Sequence, residues 1–145
     1  SLSTAEQLNM LRADRVLLGS LVEDGLGLAN ANTPLEKADA SRRTARSLAD
    51  AIGRAVSDQD AARVAELGGH FETIIRDALA PNLDEAKRLI PDDSPEAAKL
   101  KDLQRKSIDD LDAVRSAIPS TGKVGSNERV KEMNGKLDGL RTRLK

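Results

Sequence analysis

The feature that most limits what this chain can become is the spacing of its aliphatic residues. Val64, Leu67, Phe71, Ile74 and Ile75 recur at intervals of about three and four, as do Leu100, Leu103, Leu111, Val114 and Ile118 once Ser107 fills the gap. A helix turns once in about 3.6 residues, so this spacing winds one apolar stripe along one side of it. A half-buried strand would need alternation by two, and no stretch alternates for long enough. No repeat of fixed period suggests a solenoid. The expected fold class is therefore all-α: an antiparallel up-and-down helical bundle of four main helices, the third kinked at Pro81, plus a C-terminal helix on a flexible linker.

The 145 residues suit one hydrophobic core, and 39% hydrophobic with 32% charged residues is a folding composition. Trp and Tyr are absent and Phe71 is the lone aromatic, so Leu, Ile, Val and Ala must build the core. Aliphatic helices can do this, because Ala lets helices approach where Leu fills the gaps. Cys is also absent, which removes disulfides, thiolate catalysis and Cys-based metal sites. A net charge of −1 creates no global field toward nucleic acid or an anionic membrane. The sign is uneven: from Lys123 onward basic residues outnumber acidic ones, seven to three, and the remainder is net acidic. An ordinary charged helix face accounts for that. No apolar run approaches the roughly 18–20 residues needed to cross a bilayer.

Five helical segments are expected. The first spans about residues 4–31, with Ser3 and Glu6 at capping-box spacing and a stripe of Leu8, Leu11, Leu18, Leu21, Val22 and Leu28. Gly19, Gly25 and Gly27 weaken it, each by about 1 kcal/mol relative to Ala. The second has the clearest start: Thr33 as N-cap, Pro34 at the first helical position and Glu36 at the third. Ser57 or Asp58 is expected to cap the third. In that helix Pro81 should produce a bend, since its ring would meet the carbonyl of Asp77, with Asn82 to Glu85 available to cap a restart and the helix continuing to about Ile90. A turn at Pro91 to Pro95 starts the fourth, which runs to Pro119. The domain reading is residues 1–118 as the bundle, 119–127 as a linker and 128–145 as a C-terminal helix, either part of the same domain or a docking and assembly helix.

Catalytic constellations are hard to assemble from these residues. A di-iron or di-manganese bundle needs paired Glu-x-x-His turns, but His70 is the only histidine and Leu67 stands three residues before it. Glu66 and His70 share a polar helix face, where a surface pair is the ordinary reading. No serine sits in a Gly-x-Ser-x-Gly elbow. Gly122-Lys123 lacks the remaining phosphate-loop residues, since Ala117 and Val124 occupy the required positions. Asp92 with Asp93 suits a cap, and Asp109 with Asp110 lies among Lys and Arg at helical spacing, as on a solvated face. Arg42, Arg43, Arg46 and Arg54 cluster on the second segment, and Lys136, Arg141, Arg143 and Lys145 on the last. No aromatic platforms accompany them, so nucleic-acid binding is not expected. Gly135 and Gly139 fall opposite the Leu seam in a charged helix, so they form no membrane dimer motif. No catalytic residue, cofactor or metal site is assigned. The surface left for a partner is the narrow seam Val130, Met133, Leu137, Leu140 and Leu144, which repeats like a coiled coil.

Glu23-Asp24-Gly25-Leu26-Gly27-Leu28-Ala29, Thr33-Pro34-Leu35-Glu36-Lys37-Ala38-Asp39, Ala65-Glu66-Leu67-Gly68 and Asn82-Leu83 together resemble a group of uncharacterised bacterial exported all-helical proteins of unknown function. The resemblance covers about residues 8–118 and leaves the last helix outside. Its motifs are caps and packing residues. It implies a periplasmic or secreted protein, with cytoplasmic location as the alternative; the opening residue Ser1 leaves an export signal ahead of it an open question. It carries over no functional residue.

The leading expectation is a non-enzymatic helical module of the bacterial envelope that acts through protein contacts, without inserting in the membrane. The alternatives are a small-ligand-binding or enzymatic bundle with a site between helices, involving Glu66, His70 or Asp24, and a self-assembling structural protein that uses the C-terminal Leu seam.

Overall fold

The computed structural model describes residues 4–5, 15–19, 21 and 27–145. The described residues contain no strand. After short helical stretches at 15–19 and 27–29, the elements are α1 (Pro34–Ser57), α2 (Ala61–Ile74), a π-helical turn (Ile75–Leu79), α3 (Ala80–Leu89), α4 (Pro95–Ala117), α5 (Gly122–Gly125), α6 (Glu128–Asp138) and α7 (Leu140–Leu144).

Local chemistry sets most of these boundaries. Thr33 Oγ1 accepts from the Glu36 amide at 3.1 Å, and Glu36 Oε2 accepts from the Asn32 amide at 3.0 Å, so α1 starts as a capping box displaced by one residue. Asp60 caps α2, accepting from the Arg63 amide at 3.1 Å. Ser57 and Asp58, expected in that role, lie too early, because α1 runs through Ser57 and its hydroxyl donates to Gly53. The chain then reverses through Gln59, whose φ of 55° is left-handed. Ser94 and Pro95 start α4 as expected, and Ser94 rather than Asp92 or Asp93 is the cap.

Pro81 does not end the helical run, which passes through a π turn into α3 and on to Leu89. A proline has no amide hydrogen and its ring would collide with the carbonyl four residues back. The preceding turn widens to π geometry, with the Ala80 amide donating to Ile75, and Pro81 falls at the start of α3. Asn82, expected as a cap, donates its side-chain amide to the Ala78 carbonyl at 2.8 Å. That bond satisfies a carbonyl of the loosened stretch.

The core is aliphatic around one aromatic ring: Phe71 is fully buried, as are Ile52, Ile75, Leu79, Leu83 and Leu111. Helix α1 packs along α2, the π turn, α3 and α4. Of the stripe expected before α1, Leu18 and Leu28 are exposed and Leu21 is half-buried, while Leu17, outside that stripe, is buried; Leu8, Leu11 and Val22, the expected cap pair Ser3 and Glu6, and Gly25 lie outside the described residues.

Residues 119–127, expected as a tether, carry the one-turn helix α5, whose Val124 and Gly125 are buried. A Cβ on Gly125 would stand 2.6 Å from the Pro119 carbonyl oxygen, so glycine permits this fold-back. Helix α6 then lies on α2, and α7 reaches α4, α3 and the π turn.

Candidate functional site

Among the described residues four polar side chains are buried: Ser41, Glu72, Ser107 and Asp110. Both serines bond to their own helices, Ser41 Oγ to the Lys37 carbonyl at 2.8 Å and Ser107 Oγ to that of Leu103 at 2.7 Å. Glu72 is held by Arg76, whose Nη1 donates to both carboxylate oxygens at 2.7 and 2.9 Å. The other edge of Arg76 donates to Asp77 at 2.9 and 3.1 Å. One guanidinium thus serves two carboxylates on one helical turn.

Asp110 is held by two arginines of another helix. Arg42 Nε donates to it at 2.8 Å and Arg46 Nη1 at 3.0 Å, tying α4 to α1. Arg46 also faces Asp50 at 3.3 Å. The hydrogen bond to Asp110, and then the charges of Asp50 and Asp110, hold the Arg46 guanidinium above even its usual basicity. Asp110 was expected on a solvated face, yet its side chain is only 6% exposed. The signal that could have found it is positional: it follows Leu103 by seven residues and precedes Val114 by four, so it falls on the buried stripe.

Beside this cluster, between the C-terminal halves of α1 and α4, lies a groove of about 870 Å³. Ala49, Gly53, Ala113 and Ala117 make its floor, and Val16 stands at its edge. Arg46, Asp50, Arg54 and Asp58 line its α1 side. The latter four are all exposed, and Arg54 and Asp58 form no ion pair among the described residues. Small residues under a charged rim suit the approach of another helix better than they suit the grip of a small substrate. A smaller cleft of about 420 Å³ between α2 and α6 is lined by Glu72, Arg76, Arg129, Glu132 and Lys136.

The residues expected to bind a partner lie inside the fold. Val130, Met133, Leu137, Leu140 and Leu144 are 1%, 5%, 0%, 5% and 0% exposed. They cover the body of the chain, and a partner would reach them only after α6 and α7 moved away. Salt bridges fasten this segment at its margins: Arg141 to Asp112 at 3.3 Å, Arg143 to Asp84 at 3.1 Å and Asp138 to Arg115 at 2.8 Å. The large apolar side chains that do face outward are Val16, Leu18, Leu28 and Leu89 among the described residues.

Glu66 and His70 are both exposed on α2, while Asp24 lies outside the described residues. Among the described residues no cluster of His, Cys, Asp or Glu is placed to hold a metal ion, and no helix is long and apolar enough to cross a membrane. No protein-family model, curated protein or solved structure matches this chain.

Proposed function

We propose that the chain is a non-enzymatic module that works through protein contacts in the bacterial envelope, built as an up-and-down bundle of four main helices. The architecture draws support from the short connections and from the central place of α1, which packs against α2, α3 and α4. The envelope assignment draws on the resemblance to exported helical proteins. The observation that carries the functional reading is that the side chains of all four buried polar residues are engaged, Arg115 Nε and Asn134 Oδ1 being the buried polar atoms left without a partner among the described residues. Asp110 is taken by two arginines, Glu72 by one, and both buried serines by their own backbones. A catalytic group needs free capacity toward a reacting atom. The groove between α1 and α4, by contrast, combines small apolar lining residues with a charged rim on which Arg54 and Asp58 make no ion pair among the described residues, which is the make-up of a protein contact surface.

The test is capture by chemical cross-linking in envelope extract, comparing the native chain with Ala117→Trp, which fills the groove. A defined species should cross-link to the native chain and be lost with the variant while helicity by circular dichroism is unchanged. Equal cross-linking by both proteins, or none by either, would refute the proposal.

A further inference from the structure

The charges that face the groove from α1 and its C-cap Asp58 follow a rule. Arg46, Asp50, Arg54 and Asp58 stand four residues apart with alternating sign. On a helix surface a step of four residues traces a ridge inclined by about 26° to the axis. The neighbouring ridge, also in the groove, is Ala49, Gly53 and Ser57, whose side chains are small or absent. A Cβ on Gly53 would meet nothing within 4 Å, so the surface there is open. A charged ridge therefore runs beside a low one.

An alternating ridge of this kind is complementary to itself when reversed. Run antiparallel against its own copy, it sets Arg46 opposite Asp58 and Asp50 opposite Arg54. The two-fold axis then generates both pairs a second time. All charges meet their opposites, which a ridge of one sign or of uneven spacing cannot achieve. Interlocking two such ridges is the commonest way helices pack, with axes crossing at about −50°. The small ridge gives the partner's charged side chains somewhere to lie.

We propose that the groove between α1 and α4 is a two-fold interface, and that its partner is a second copy of this chain. The inference rests on the reading of the protein as a contact module and names the partner for that surface. Arg54 and Asp58, which make no ion pair among the described residues, gain partners across the interface. Asp110 and Arg42 lie behind the ridge and hold Arg46 in position. Val16, 61% exposed at the groove edge, is positioned to be covered by the second copy.

Sedimentation equilibrium on the intact chain, from micromolar to millimolar concentration, tests this. The native chain should dimerise and dissociate as salt is raised. Arg54→Asp places two carboxylates opposite each other at two symmetric points, and Asp50→Arg does the same with two guanidiniums. Each should weaken the dimer by about tenfold or more. The double variant Asp50→Arg with Arg54→Asp restores opposite signs and should recover most of the affinity. Circular dichroism and thermal melts of the same samples establish that each variant is folded. A chain that stays monomeric throughout, a dimer indifferent to the single changes, or a double variant as weak as the singles would overturn the proposal. If the chain is monomeric and filling the groove still abolishes capture of an envelope species, self-pairing falls while the contact-module reading stands.

Discussion

Adjacent glycines on α2 allow a sharp test of how the C-terminal segment sits. Gly68 is buried and Gly69 exposed. A Cβ built on Gly69 meets nothing within 4 Å, whereas one on Gly68 would stand 2.4 Å from the sulfur and from the terminal methyl of Met133 and 2.8 Å from its Cγ. Replacing a helical glycine by alanine stabilises by about 1 kcal/mol when nothing obstructs the methyl. Gly69→Ala should show that gain. Gly68→Ala carries the same backbone gain, but Met133 must retreat by more than an ångström from a site where it is 5% exposed. Overpacking of that kind costs about 1–3 kcal/mol. The two alanine variants should therefore differ by about 1–3 kcal/mol in unfolding free energy, Gly68→Ala being the weaker. Met133→Ala removes the obstruction, so adding Gly68→Ala to it should recover the simple helix gain, a coupling visible in a double-mutant cycle. Urea denaturation followed by circular dichroism measures the native chain and the four variants. Equal stabilisation by Gly68→Ala and Gly69→Ala would refute the reasoning that Met133 has no room to yield at this contact.

Other perturbations separate local from tertiary contributions. Asp110→Ala leaves Arg42 and Arg46 facing a carboxylate-free site; both are partly exposed, so the loss should be about 2 kcal/mol by denaturation rather than the larger cost of a fully buried pair. Asn82→Ala strips the Ala78 carbonyl of its side-chain donor and should cost about 1 kcal/mol, with faster amide exchange through the π turn. Hydrogen bonds from Arg76, Arg88 and Lys106 hold the carboxyls of Asp77, Glu85 and Asp102 below the ordinary range. Their stabilisation is thus fully present above the unfolded carboxylate range and disappears as pH falls through the lowered values. Carboxyl NMR titration should find these three among the last to protonate on acidification; ordinary carboxylate midpoints would refute this.

Short-range chemistry was legible in the residues themselves. The Thr33-Pro34-Glu36 start, the Ser94-Pro95 start and the stop before Pro119 each depend on groups within one helical turn, and a local pattern carries that information. The apolar spacing likewise specifies helix over strand, because helical periodicity is a property of consecutive residues. Burial is different. Asp110 read as a surface acid because its neighbours are charged; its place on the apolar stripe marks it as inward-facing, but the partners that let a carboxylate stay there, Arg42 and Arg46, arrive only with α1. The Leu seam read as available because nothing in the chain says which face receives it, and Gly68 turned out to be the place where Met133 lands. Pro81 announced a disturbance; how the backbone absorbed it depended on whether the flanking apolar residues Ile75, Leu79 and Leu83 could all stay buried. Local sequence decides which turns and caps can form because their partners are covalently near. Which side chains are enclosed, and which ridge is left facing water, depends on contacts between residues far apart along the chain, and only the packed helices establish those.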